Sequence, residues 1–185
     1  MQIKFNLGSD YFMENNTRGI DHVGVTVPDI EEATTFLKKA FNAKISYDNK
    51  KLSDEPLQGE DVEKTLGLKK GAKVIHLRML SFENGSSMEL FNFKNTEQRE
   101  PVIVSDLGVQ HCAFYVNDLQ QAAKNFVEAG GELLTEPGEL LGDAEDGAGG
   151  FVYGRTPWGM LIELLSYNPN QIDYPNDSEA KRFTP

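Results

Sequence analysis

Gly19-Ile20-Asp21-His22-Val23-Gly24-Val25-Thr26-Val27-Pro28-Asp29-Ile30 returns 89 positions later as Gly108-Val109-Gln110-His111-Cys112-Ala113-Phe114-Tyr115-Val116-Asn117-Asp118-Leu119. Each copy reads as a short strand with a histidine near its start, a turn carrying Asp, then an amphipathic helix. The register continues, with Ala33 opposite Ala122, Leu37 opposite Phe126 and Ala40 opposite Ala129. Such a repeat decides the fold before any single element does, because each copy is one supersecondary unit. It also places two of the three histidines at equivalent positions.

Working outward, the valine-dense run at 20–27 is a β-branched strand closed by Pro28-Asp29. Asp29 suits a helix N-cap, with Glu32 three residues on. Ile30, Ala33, Phe36, Leu37, Ala40 and Phe41 follow at helical spacing. Strands are expected at 43–47, 74–82 and 87–93, the last two joined through Asn84-Gly85. A polar stretch from Asp48 to Lys70 interrupts them and is expected to cover the pocket, as long loops often do. The second copy repeats the order, with strands at 109–116, 132–135, 151–155 and 160–167. Its helix starts at Asp118 and stops at Gly130-Gly131. The expected organisation is an N-terminal arm at 1–18, a first βαβββ module at 19–94 and a linker at 95–107. A second βαβββ module at 108–167 and a tail at 168–185 complete it.

Side chains alternate along a strand. Val23, Val25 and Val27 should therefore lie under the helix, with His22 on the opposite, concave face. Cys112, Phe114 and Val116 repeat the first set, and His111, Ala113 and Tyr115 the second. The last strand of each module carries a carboxylate inside an apolar run, Ser87-Met88-Glu89-Leu90-Phe91 and Leu161-Ile162-Glu163-Leu164-Leu165. Such a group is costly to bury unless paired, protonated or metal-bound. His22, Glu89, His111 and Glu163 thus make a candidate two-nitrogen, two-oxygen site suited to Zn, Ni, Co, Mn or Fe(II). A lone strand histidine beside a carboxylate would read as a hydrogen-bonded pair; duplication of both positions favours metal. His76 has no counterpart in the second copy and reads as a surface residue or one behind the ligands. Tyr115, Arg155 and Trp158 could line a pocket, or simply pack. Cys112, facing the helix, reads as core.

The chain has 185 residues, 39% hydrophobic and 10% aromatic, with a formal charge of −11. This suits a folded protein and disfavours non-specific nucleic-acid binding. One cysteine permits no internal disulfide. No secretory start or 18-residue apolar run is found, so no membrane span is expected and the cytoplasm is the default location.

These motifs, with Thr156-Pro157-Trp158-Gly159-Met160 before the last strand, resemble the vicinal oxygen chelate superfamily of glyoxalase I, methylmalonyl-CoA epimerase, extradiol dioxygenases and bleomycin-resistance proteins. The resemblance covers about residues 19–167. It implies an α+β fold of tandem βαβββ modules forming a curved mixed sheet around a metal site. It assigns the four metal ligands to His22, Glu89, His111 and Glu163, held within one chain or across a homodimer. It further implies a divalent metal (Zn, Ni, Co or Mn) and a small oxygenated substrate. The reaction implied is glyoxalase-like lyase or isomerase chemistry through an enediolate, with Glu163 as general base and Glu89 as the steadier ligand. Glutathione-using members often carry arginine four residues after the first histidine and asparagine four after the first glutamate. Thr26 and Phe93 stand there instead, which argues against a glutathione-linked substrate. An Fe(II) extradiol-type dioxygenase and a non-catalytic binding or resistance protein remain the alternatives.

Overall fold

The computed structural model describes residues 19–142, 145–172, 174 and 178. The expected N-terminal arm and most of the tail beyond Ile172 lie outside these residues. Strand β1 (His22–Thr26) leads into helix α1 (Ile30–Phe41), then β2 (Lys44–Lys50), α2 (Glu60–Leu66), β3 (Lys73–Ser81) and β4 (Ser87–Lys94). After the linker come β5 (His111–Tyr115), α3 (Leu119–Glu128), the short β6 (Glu132–Leu133) and β7 (Gly138–Glu139), then β8 (Gly149–Arg155) and β9 (Leu161–Tyr167). The first sheet has the order β1-β4-β3-β2 and the second β5-β9-β8-β6, with β7 also on β8. In each, the histidine strand runs parallel to the glutamate strand.

Local chemistry sets the helix ends. The Asp29 carboxylate accepts from the N–H groups of Glu31 and Glu32 at 2.8 and 2.9 Å, and Asp118 accepts from Gln121 N–H at 2.9 Å. This satisfies donors that the first helical turn leaves unpaired. Asn42 ends α1 in the left-handed region, at φ 54°. Gly130, at φ 109°, follows α3 where a side chain would be strained.

The expectation of one curved mixed sheet wrapped around a metal site is corrected. The strands form two separate sheets. Among the described residues no group of three or more His, Cys, Asp or Glu is placed to hold a metal ion. The reason lies in the aromatic packing between modules. Phe36 of α1 meets Phe126 of α3 edge-on at 5.3 Å, and Phe41 stacks on Phe114 at 3.9 Å. The helical faces of the two modules thereby share one core with Leu37, Leu80, Leu90, Ile162 and Leu164. Each sheet buries its valine or phenylalanine face in that core and turns its histidine face outward.

An ion-pair cluster around the buried Arg78 braces the first module. Arg78 of β3 donates through Nε to Asp48 of β2 at 2.6 Å, through Nη2 to Glu31 of α1 at 2.8 Å and through Nη1 to Thr34 at 3.1 Å. His76 is also here, buried, with Nε2 3.4 Å from Asp48. It is therefore neither on the surface nor behind the His22 site, because it alternates along β3 with Arg78 and Leu80, which are buried as well.

Two outcomes follow. Phe36→Ala, which empties the shared core, should cost about 3–5 kcal/mol in chemical denaturation. Hydrogen bonds from Arg78 hold the Glu31 and Asp48 carboxyls below their usual range. The stability they contribute is present above the unfolded-state values near 4 and fades as pH falls through the lower folded values. Arg78→Met should flatten that acid-side loss, read from denaturation midpoints between about pH 5 and 3.

Candidate functional site

The parallel register brings each histidine beside its own module's glutamate. His22 Nε2 lies 3.5 Å from a Glu89 oxygen, and His111 Nε2 lies 3.2 Å from a Glu163 oxygen. Both pairs sit on the outward faces, the histidine side chains 40% and 26% exposed and the glutamates 15% and 16%. Glu89 has Gly24 beside it on β1, and Glu163 has Ala113 on β5. These equivalent neighbours are both small, and the Phe91 ring approaches the space beside Gly24.

The other ring nitrogen of each histidine is also committed. His22 Nδ1 lies 2.7 Å from Asp21 Oδ1, and His111 Nδ1 contacts Gln110 Oε1. A carboxylate or amide oxygen only accepts, so in a neutral imidazole Nδ1 carries the proton and Nε2 presents its lone pair. A lone pair facing a carboxylate is repulsive unless a proton or cation lies between them. Two ligands of one zinc ion, at about 2.0–2.2 Å from it, stand about 3.0–3.4 Å apart. The observed separations, 3.5 and 3.2 Å, lie close to that edge, and the single chain holds the two pairs apart.

Tyr153 and the Nδ1 partners were not singled out by strand alternation. Tyr153 on β8 faces Glu163 across the antiparallel ladder, and its ring meets His111 edge-on at 5.3 Å. Burial, then the Glu163 charge and a hydrogen bond to it, push the phenol above its usual range. In the first module the corresponding neighbour of Glu89 is Met79. The sequence signal for Asp21 and Gln110 is the repeat itself, which aligns them one residue before each histidine.

Other candidates have structural roles. Tyr115 donates to the Tyr167 carbonyl at 2.9 Å, Arg155 donates to the Gly159 carbonyl at 2.9 Å, and Trp158 packs edge-on against Phe36 at 5.4 Å. Burial raises the Cys112 thiol, which favours the inert neutral form. Gly67, Leu68 and Lys69 of the insertion line an open cavity of about 350 Å³ with Thr26 and Phe93, at the far end of the His22 face. A larger cavity of about 440 Å³ lies by Pro28, Phe36 and Trp158 on the helical side. It lies across the sheet from both histidines, and Glu31 there is bound to Arg78.

Residues 19–164 match the family described as the Glyoxalase/Bleomycin resistance protein/Dioxygenase superfamily. A 2-epi-5-epi-valiolone epimerase from Actinomyces sp is 29% identical over 170 residues, 90% of this chain and 88% of that protein. Among solved structures, a glyoxalase family protein from Bacillus cereus superposes with a TM-score of 0.64 at 21% identity, covering 84% of this chain and 97% of that one. Glyoxalase I from Zea mays gives 0.54 at 19% identity, covering 81% of this chain and 46% of that longer one. The structural matches carry the fold, which is consistent with metal-ion binding and small-molecule enzymes in general. No helix among the described residues is long and apolar enough to cross a membrane.

In metal-free protein His22 should titrate above the ordinary imidazole value, first because Asp21 hydrogen-bonds its ring, with Glu89 adding to the effect and desolvation opposing it. The protonated pair is then favoured at low pH, and its contribution fades as pH rises through the raised value. Asp21→Asn should move the His22 midpoint down, measured by NMR titration of the ring protons. An unchanged midpoint would show that the Asp21 contact does not govern it.

Proposed function

The chain belongs to the Glyoxalase/Bleomycin resistance protein/Dioxygenase superfamily, and we propose that it is a divalent-metal-dependent epimerase of small α-hydroxy ketones. The duplicated His–Glu pair, with both Nδ1 atoms held and both Nε2 atoms facing carboxylates, carries this reading. The similarity to a 2-epi-5-epi-valiolone epimerase supports the isomerase choice over lyase chemistry. Thr26 and Phe93 at the far end of the His22 face speak against glutathione.

Two copies of the chain are needed. His22 and Glu89 of one copy and His111 and Glu163 of another would hold Zn, Ni, Co or Mn. A bound ion supplies Lewis-acid polarisation of two adjacent substrate oxygens. Glu163 would remove the proton from the hydroxyl-bearing carbon, and Glu89, protonated at the outset and reaching the substrate from the other sheet, would deliver its own proton on the opposite face, so that the two carboxyls end with their protonation exchanged. Tyr153 orients the Glu163 carboxylate, while Asp21 and Gln110 fix the histidine tautomers. The insertion after α2 lies beside Thr26 and Phe93 at the end of the His22 face and would limit water entry there.

The test is metal content, together with deuterium exchange at the hydroxyl-bearing carbon of a polyhydroxylated cyclic ketone in D₂O, followed by NMR. Wild type should bind about one metal per chain and catalyse exchange. Glu163→Gln should slow exchange by about 10²–10⁴-fold. His22→Ala and His111→Ala should each lose metal. When the two variants are mixed and allowed to exchange subunits, some binding should return, since a mixed dimer rebuilds one intact centre. Iron with oxygen uptake would move the reading to a dioxygenase, and saturable binding without exchange to a binding protein. Absence of both metal and exchange sinks it.

A further inference from the structure

The two ends of the contact between α1 and α3 are filled differently. At the end of α1, Phe41 stacks on Phe114 at 3.9 Å and Phe82 meets Phe114 edge-on at 4.9 Å. The repeat puts Gly130 where Phe41 stands and Val25 where Phe114 stands. This loss of two rings coincides with the cavity of about 440 Å³ between the start of α1, Ala129 at the close of α3, Pro157 and Trp158. A Cβ on Gly130 would reach only Pro157, at 3.7 Å. The volume falls within the range of small-molecule sites, about 300–1,000 Å³.

Its walls are chemically one-sided. Asp29, Glu31 and Glu32 line it with Phe36 and Trp158, and no Lys, Arg or His among the described residues does. The Asp29 carboxylate is used on the N–H groups of Glu31 and Glu32, and Glu31 is held by Arg78. The Glu32 carboxylate has no ion-pair or hydrogen-bond partner among the described residues. Together the three charges outweigh Arg78 and the roughly half positive charge of the helix N-terminus, so the cavity favours a cation. On the apolar side, the ring face of Trp158 attracts an ammonium group as well. The Trp158 indole N–H is buried and finds no acceptor among the described residues. An unpaired buried donor is costly, and no hydrogen bond resists a turn of the indole toward the cavity.

We infer that this cavity is a second ligand site of the chain, separate from the His–Glu pairs, for a small amino alcohol with an apolar ring. The ring of the occupant lies against Pro157 and Trp158, and its ammonium group meets Glu32. The neighbouring hydroxyl oxygen accepts from the Trp158 indole N–H once that side chain turns. Lying across the sheet from His22 and His111, the site needs neither a metal nor a second copy. It therefore stands or falls apart from the proposed epimerase chemistry.

Trp158 is the only tryptophan of the chain, so fluorescence of the full-length protein reports on the site directly. Phenylethanolamine, styrene glycol and mandelate share a phenyl ring and a hydroxyl, and differ in carrying an ammonium, a second hydroxyl or a carboxylate. Phenylethanolamine should change the emission saturably, with a Kd of about 1 mM or below. It should bind at least about 10-fold tighter than styrene glycol, with mandelate silent and added salt weakening the difference. Glu32→Gln should remove most of that preference and leave the styrene glycol affinity unchanged. Ala129→Leu, which puts bulk into the cavity from the end of α3, should abolish the response, its fold being checked by circular dichroism. Equal response to all three compounds overturns the inference, as does saturation by none of them up to about 10 mM. A response that survives in folded Ala129→Leu overturns it too, because the indole would then report on another place. Should Ala129→Leu fail to fold, Glu32→Gln decides alone, and an undiminished preference for the ammonium compound overturns the inference.

Discussion

The edge-on contact of Phe36 with Phe126, reinforced by Phe41 on Phe114, governs everything else in this molecule. It joins the modules through their helices, so the two apolar halves become a single core. Either module alone would leave a helix with an unburied stripe, and a unit of that size is only marginally stable. Once the helical faces are spent on each other, the histidine faces have only one direction left. The half-sites are separated because the core is shared.

That arrangement changes how the internal repeat is read. Duplication reproduces the His–Glu geometry closely, including the oxygen partner at each Nδ1 and the small residue beside each glutamate. It does not reproduce the neighbours. Glu163 faces a tyrosine hydroxyl and Glu89 a thioether, so the two carboxylates meet different surroundings although their backbones are equivalent. The proposed proton transfer would draw on that inequality, because it needs one carboxyl ionised and the other protonated at the start.

Much of this was legible in the chain. The strand–turn–helix repeat predicted the elements, because valine alternation, the Asp29 and Asp118 caps and the Gly130 stop are local signals. Which side of each strand His22, Glu89, His111 and Glu163 occupy followed from the same alternation. The relation between the modules did not, because Phe36 and Phe126 look like ordinary core positions whether they meet each other or their own sheets. The burial of His76 was also hidden, since its neighbour Asp48 comes from a strand whose pairing with β3 is irregular and leaves no mark in composition. Tyr153 escaped because its significance lies in the residue across the ladder, a pairing fixed only once β8 and β9 are in register.

The α2 segment contributes no buried side chain and is tied down mainly by Glu63 accepting from Gly71 N–H at 2.6 Å and by the Leu57–Val74 bridge. Leu68 and Lys69, just after it, nonetheless line the cavity beside Thr26 and Phe93. Selection can therefore rewrite this wall at little thermodynamic risk, because mutations there draw on no core packing and leave the stability margin intact. Descendants of one ancestral chain could diverge in what they accept by drift in this segment alone, long before His22, Glu89, His111 or Glu163 changed.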